Sequence, residues 1–232
     1  MSEVAEQLAA VEARIAAACR RACRERSEVG LIAVSKTFPA EAVAEAAAAG
    51  QTLFGESRWQ EAEPKIGALP DTLRWHFIGG VQRNKVRKIL PLFEAVHAID
   101  SLRLAAYADQ VASELGLKPK VFFQVNPAGE ASKGGFEPDT LRRELEELLT
   151  LRSLEVQGLM VIPPDDDEPR RWFAGVRKLR DELAAASGHP LAGLSMGMSG
   201  DYEEAIEEGA TLVRVGSAIF GRRAYRVDGE LG

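Results

Sequence analysis

Cysteine is almost missing from this chain, with only Cys19 and Cys23 among 232 residues. They lie four apart on a predicted N-terminal helix, with no histidine or acidic cluster beside them. Such a pair makes a poor zinc site and reads as two small buried thiols. Long apolar runs are also missing. None approaches the ~18 residues that a membrane helix needs. Low-complexity and disorder-prone stretches are absent, and the composition is that of an ordinary globular protein, 46% hydrophobic and 28% charged. Basic excess is absent too. The net charge of −6 argues against non-specific nucleic-acid binding.

The N-terminal stretch "MSEVAEQLAAVEARIAAACRRACRERSE" is amphipathic and carries acids, so it resembles neither a secretory signal nor a transit peptide. A cytoplasmic protein is the expectation. No composition break marks a second domain, so residues 1–232 are expected to form one domain, with a helix over about the first 25 residues packed on it.

What the chain does contain is a repeat of short apolar runs. They are "LIAVS" (31–35), "TLFGE" (52–56), "WHFIG" (75–79), "AVHAID" (95–100), "VFFQVN" (121–126), "VQGLMVI" (156–162), "GLSM" (193–196) and "TLVRVG" (211–216). Segments with apolar residues at three and four spacing lie between them, among them 39–50, 81–90, 101–116, 139–152, 168–187 and 201–209. Strand then helix, eight times over, predicts parallel strands with right-handed crossovers and a closed (β/α)8 TIM barrel. An open doubly wound sheet is the alternative. It is disfavoured because no Gly-rich dinucleotide turn follows the first strand.

In such barrels the chemistry sits where strands end. After strand one comes Ser35-Lys36-Thr37, an ammonium group at the tip of a strand built for the core. A lysine there is either a solvated strand end or a nucleophile at the barrel mouth. Strand two leads into "GESR" (55–58), strand three carries His76, and strand seven runs into "MGMSGD" (196–201). Strand eight carries Arg214 and ends in "GSA" (216–218). Alternation puts Val213 and Val215 on one face and Arg214 on the other; pointing into the barrel a guanidinium needs a partner, and facing the outer helices it would fare no better, so a partner in the site is expected. A lone serine such as Ser199 or Ser217 would read as a plain helix cap. Two Gly-flanked serines in adjacent loops, after strands seven and eight, read instead as a phosphate cup. Amine, cup and arginine together fit pyridoxal 5′-phosphate (PLP): a Schiff base on Lys36, the cup around the phosphate, Arg214 at the pyridine nitrogen.

The motifs "AVSKT", "FGESRWQE", "WHFIGGVQRNK", "AIDS", "QVN…E..K.GF", "GLM.I.P", "LSMGMS.D...AI..G.T.VR.G" and "IFGRR" span most of the chain. In them the chain resembles the pyridoxal phosphate homeostasis (YggS/PROSC) family, whose fold is similar to the N-terminal barrel of alanine racemase. The resemblance implies that Lys36 carries the pyridoxal group, that Ser199, Gly216 and Ser217 bind phosphate, and that Arg214 faces the ring nitrogen. It adds Met198 through its backbone and His76 along the ring. Ser57 neighbours the ring where the family usually has asparagine, so that neighbour is shorter here.

Two other features read as surface. The basic run Arg83, Lys85, Arg87, Lys88 reads as a solvated helix face, and "DDDE" (165–168) as an exposed loop without metal geometry. Two functions stay in competition. One is a PLP-dependent racemase or related enzyme of this fold. The other is a carrier that holds PLP and hands it to apo-enzymes. An arginine at the ring nitrogen weakens the electron sink. Only "AIFGRRAYRVDGELG" follows strand eight, which leaves no room for the β-domain that gives racemases of this type their second base. The reading favoured is a monomeric PLP homeostasis protein without robust amino-acid turnover, with no nucleic-acid or membrane partner.

Overall fold

The eight apolar runs form eight parallel strands in the computed structural model, which describes residues 2–130, 133–166 and 168–221. They are β1 (Gly30–Val34), β2 (Leu53–Glu56), β3 (Arg74–Phe77), β4 (Ala95–Ile99), β5 (Lys120–Val125), β6 (Glu155–Val161), β7 (Gly193–Ser195) and β8 (Leu212–Val215). Each pairs with the next in chain order, and β8 returns to β1 with Gly30 beside Leu212 and Ala33 beside Val215. That last pairing closes the expected barrel and removes the open-sheet alternative.

Helices α1 (Glu3–Arg21), α2 (Ala40–Ala48), α3 (Trp59–Gly67), α4 (Val86–Ile89), α5 (Leu102–Leu115), α6 (Pro138–Leu149), α7 (Pro169–Ser187), α8 (Tyr202–Glu207) and α9 (Ser217–Phe220) accompany the strands. The local rules are visible in α7. Pro169 starts it, where a missing N–H costs nothing, and Gly188 ends it in a left-handed turn at φ 67°. Phe173, Val176, Leu179 and Leu183 form its buried stripe. This stripe, its equivalents on the other helices and the outward strand residues such as Phe54, Phe123, Val213 and Val215 make the main core.

Helix α1 covers the place where the barrel closes. Leu8, Val11, Ile15, Ala18 and Cys19 are buried against the barrel side, and the helix packs on α8 and α9. Arg14 and Arg21 pair with Glu203, and Arg21 also with Glu207, on α8. The two cysteines are not both buried as expected. The helix stops at Arg21, so Cys19 is buried within it, whereas Cys23 is exposed in a left-handed turn at φ 54°.

Two local expectations change. Helix α3 falls outside the segments expected to be helical, and its interior Pro64 is the reason a periodicity reading passes over it. The basic run forms not one helix over 81–90 but a 3₁₀ turn at Arg83–Lys85 followed by the single turn of α4. Aromatic rings from elsewhere lie under it. Arg83 stacks over Tyr107, and Lys88 over Trp59. In the acidic loop, Asp166 accepts from Trp172 Nε1 and Arg171, while Asp167 lies outside the described residues.

The inner faces of the strands carry a smaller apolar filling: Ile32, Val34 and Leu53 in one cluster, Ala95, Ala98, Phe122 and Met160 in another. Gly158 and Gly193 leave room for this layer. A Cβ on Gly193 would sit 2.6 Å from Phe122 Cε1, and one on Gly158, at φ 155°, would sit 1.9 Å from the Gly193 carbonyl oxygen. A bulge in β4 between Val96 and Ile99 shifts the register against β5. It places both His97 and Ala98 toward the interior. Four polar residues, His76, His97, Ser195 and Arg214, are buried there as well.

Candidate cofactor site at the C-terminal ends of the strands

A cavity of about 300 Å³ opens at the C-terminal ends of the strands, the size at which small-molecule sites begin. Val34, Ile78 and Ile162 give it apolar walls. Lys36, Met198, Ser199, Arg214, Gly216 and Ser217 give it its polar groups.

Lys36 is half-buried at the tip of β1 in a tight turn. The Phe38 N–H donates to the Ser35 carbonyl at 3.1 Å, and Thr37 takes a left-handed conformation at φ 71°. A buried ion pair braces this turn from behind. Lys65 Nζ donates to Glu56 Oε1 at 2.5 Å and to the Ser35 carbonyl at 2.9 Å, and Ser35 Oγ donates to the same Glu56 oxygen at 2.7 Å. None of these three residues is more than 8% exposed.

Arg214 forms part of the floor. Val213 and Val215 point outward into the main core and Arg214 inward, as strand alternation requires. Its Nη1 donates to Ser195 Oγ at 2.7 Å and its Nη2 to the Val161 carbonyl at 2.9 Å. Burial pushes its pKa down to about 10, with the Asp201 charge opposing the shift, so it stays cationic at neutral pH.

The loops after β7 and β8 form one side of the cavity. Gly197 holds φ 91°, and a Cβ there would lie 2.6 Å from Ala205 Cβ, so only glycine lets this loop lie on α8. The Gly216 N–H donates to Ser199 Oγ at 3.2 Å, tying the two loops together. Neither serine is a helix cap. Asp201 precedes α8, Gly216 precedes α9, and Ser217 is the first residue of α9. The Met198 N–H donates to Asp201 Oδ1 at 2.6 Å, and burial holds the Asp201 carboxyl above its ordinary pKa.

The chain matches known proteins over nearly its whole length. A family model described as the alanine racemase N-terminal domain matches residues 7–224. The pyridoxal phosphate homeostasis protein of Pseudomonas aeruginosa is 47% identical over 227 residues, covering 97% of this chain and 98% of that one. The chain belongs to the pyridoxal phosphate homeostasis family. Within that family, the Aquifex aeolicus protein is 42% identical over 224 residues, covering 95% of this chain and 98% of its own. Two solved structures of PipY from Synechococcus elongatus are similar at 42% identity over 94% of this chain and 100% of PipY. The TM-score is 0.85 for the one without PLP and 0.82 for the one with PLP bound.

Set against the family motifs, the structure brings six of the eight expected residues around one cavity: Lys36, Met198, Ser199, Arg214, Gly216 and Ser217. Ser57 and His76 do not line it. Ser57 opens onto a separate recess with Trp59, Gln82 and Lys85. Gly79 packs directly on Ser57, since a Cβ there would be 2.3 Å from the Ser57 carbonyl oxygen. His76 is buried in the barrel against His97. Arg222 and Arg223 of the "IFGRR" motif lie outside the described residues. Sequence reasoning missed Glu56 and Lys65 behind the lysine turn, and Ser195 and His97 beneath Arg214. Glu56 and Ser195 lay inside quoted motifs, but nothing in their spacing showed their partners.

Proposed function

We propose that this cavity holds pyridoxal 5′-phosphate, with Lys36 as the attachment point, and that the protein stores and releases the cofactor rather than turning over amino acids. The observation that carries the reading is the convergence on one cavity of an amine, a buried guanidinium in no ion pair among the described residues, and two loops joined through Ser199 and Gly216. The residues fit the group chemically. PLP supplies an aldehyde that condenses reversibly with amines. Lys36 offers an amine at one wall. Ser199 and Ser217 offer hydroxyls, and Ser217 begins a helix whose first N–H groups have no intrahelical partner. Arg214 offers a donor that does not readily lose its proton, suited to a ring acceptor. Gly216 lets the chain pass close to β1, where a Cβ would be 3.2 Å from the Val34 carbonyl oxygen.

The names of the Pseudomonas and Aquifex relatives, and the PipY structure with PLP bound, support the same cofactor and a homeostatic role. The braced turn at Ser35–Phe38 keeps Lys36 at the cavity wall, and the walls of Val34, Ile78 and Ile162 limit water around it. We take residues 1–232 as one cytoplasmic, monomeric domain that serves apo-enzymes and binds neither nucleic acid nor membrane. No helix among the described residues is long and apolar enough to cross a membrane.

The test is borohydride reduction of PLP-loaded protein followed by peptide mapping. The label is expected on Lys36 and absent from Lys36→Ala. A label elsewhere with Lys36→Ala unchanged overturns the attachment point. Loaded protein is expected to reactivate a PLP-dependent apo-enzyme. Lys36-dependent deuterium exchange at the amino-acid Cα, on the order of 1 s⁻¹ or faster, would mark an enzyme instead.

A further inference from the structure

Inside the barrel, four side chains from four strands form one continuous hydrogen-bonded line. Arg214 on β8 donates from Nη1 to Ser195 Oγ on β7 at 2.7 Å. Ser195 Oγ lies 2.8 Å from His97 Nδ1 on β4, and His97 Nε2 lies 2.9 Å from His76 Nδ1 on β3. All four residues are at most 4% exposed. His97 also stacks on Phe122, with ring centroids 4.4 Å apart, which fixes the plane of its ring.

The direction of the protons in this line follows from what each group can do. A guanidinium only donates, so Ser195 Oγ accepts from Arg214. The hydroxyl keeps one hydrogen, and its other partner among the described residues is His97 Nδ1. If that hydrogen goes to Nδ1, His97 carries its proton on Nε2 and donates to His76 Nδ1. His76 then carries its proton on Nε2, an atom that is buried and has no partner among the described residues. This arrangement leaves one unmet group. The reverse arrangement leaves two: the Ser195 hydroxyl hydrogen and a bare lone pair on His76 Nε2. It also turns the positive ends of both imidazole dipoles toward the guanidinium, whereas the first turns their negative ends toward it.

A buried cation normally needs a counter-ion. Arg214 is in no ion pair among the described residues, and the Asp201 charge acts on it only at longer range. We infer that the Ser195–His97–His76 line is a one-way relay of aligned dipoles that solvates the buried Arg214 charge without a carboxylate, and that Ser195 and His97 are positioning residues for Arg214. Both imidazoles are neutral in this arrangement, in accord with burial depressing the pKa of each. The consequence for the cavity rests on the cofactor reading above. A dipole-solvated guanidinium is not neutralised, so the floor presents a positive charge that selects a ligand with an unprotonated ring nitrogen, or another acceptor, at that end. A carboxylate in place of Ser195 would cancel that selection.

The test begins with the unloaded wild-type protein, labelled with ¹⁵N-histidine, in long-range ¹H–¹⁵N correlation spectra at neutral pH. Both His76 and His97 are expected as neutral Nε2–H tautomers. An Nδ1–H tautomer at His97, or averaging between the two forms, overturns the relay. Arg214→Met removes the bias, and both tautomers are then expected at His97. An unchanged spectrum would show that Arg214 does not set the direction. Ser195→Ala is expected to weaken PLP binding about 3- to 10-fold, the range for one lost hydrogen bond, with Ser195→Thr restoring it. Equal affinity in all three removes the positioning role. Correct tautomers in a protein that does not bind PLP would sink the cofactor reading and leave the relay standing.

Discussion

The Ser199 hydroxyl oxygen accepts the Gly216 N–H at 3.2 Å, a bond that joins the loop after β7 to the loop after β8. Among the described residues the Ser199 hydroxyl hydrogen has no acceptor, and Ser199 and Ser217 both line the cavity. One serine thus shapes the cup and offers a donor to it.

Ser199→Ala and Ser217→Ala are each expected to lower PLP affinity. A hydrogen bond to a charged group is worth about 1.5–3 kcal/mol, or roughly 10- to 150-fold in Kd. Ser199→Ala is expected to cost the more, because it also unties the loops. The measurement is a PLP titration followed by absorbance, with unphosphorylated pyridoxal as the control. Pyridoxal is expected to bind far more weakly and to be indifferent to both changes. Equal wild-type affinity for pyridoxal and PLP would rule out the phosphate cup.

The buried Glu56–Lys65 pair predicts an asymmetric mutational pattern. Lys65→Met leaves Glu56, 0% exposed, without its ammonium partner, at a cost of about 3–5 kcal/mol. Adding Glu56→Leu removes the stranded charge, so the double variant is expected to be more stable than Lys65→Met alone. Urea unfolding of the two single variants and the double variant decides it. Additive losses would mean the pair is not coupled.

Acid is expected to destabilise the barrel through His76, whose pKa burial lowers from 6.5 to about 4. Below pH 6.5 the unfolded chain binds a proton at this imidazole and the folded protein does not. Stability therefore falls as pH drops from about 6.5 toward 4, by roughly 3 kcal/mol in all, and levels off once the folded form also binds the proton. His97 adds a loss of the same sign, because burial lowers its pKa too. Replacing His76 by Gln is expected to flatten the stability curve over this range. An unchanged slope would show that other groups set it.

Gly197→Ala is expected to destabilise the protein by about 1–3 kcal/mol, since the position holds φ 91° and the added methyl would meet Ala205 and Tyr202. The neighbouring Met198 N–H, now bonded to Asp201, is expected to exchange faster with solvent. Hydrogen exchange at Met198, read beside a thermal melt, checks both effects. Gly200→Ala serves as the control, because a Cβ there meets nothing within 4 Å.

The barrel was legible because its signal is local and repeated. An apolar run of five or so residues followed by a helical period needs no knowledge of its neighbours, and eight of them leave few ways to close a sheet. The strand-end positions of Lys36, Ser199 and Ser217 were legible for the same reason: parallel strands put all their C-terminal ends on one side. Helix α3 was not, because Pro64 breaks its pattern and its stability comes from packing Ala62 and Lys65 against the barrel. Cys23 was misplaced because the end of α1 at Arg21 is set by how the following chain turns toward β1.

By itself, then, the sequence determined the eight-fold alternation, the placing of Arg214 opposite its flanking valines and the strand ends that carry the reactive groups. Period and strand direction are properties of neighbouring residues. Only the tertiary structure decided which distant groups meet. Lys65 lies nine residues after Glu56, and His97 lies 98 before Ser195. Those pairings depend on barrel closure, on the β4 bulge that brings His97 inward and on a dry interior where an unpaired polar group is costly. In water each of these side chains would be satisfied alone. Inside the barrel they depend on one another and on a few backbone carbonyls such as that of Val161, and that need selects Ser195, His97 and His76 as the setting of Arg214.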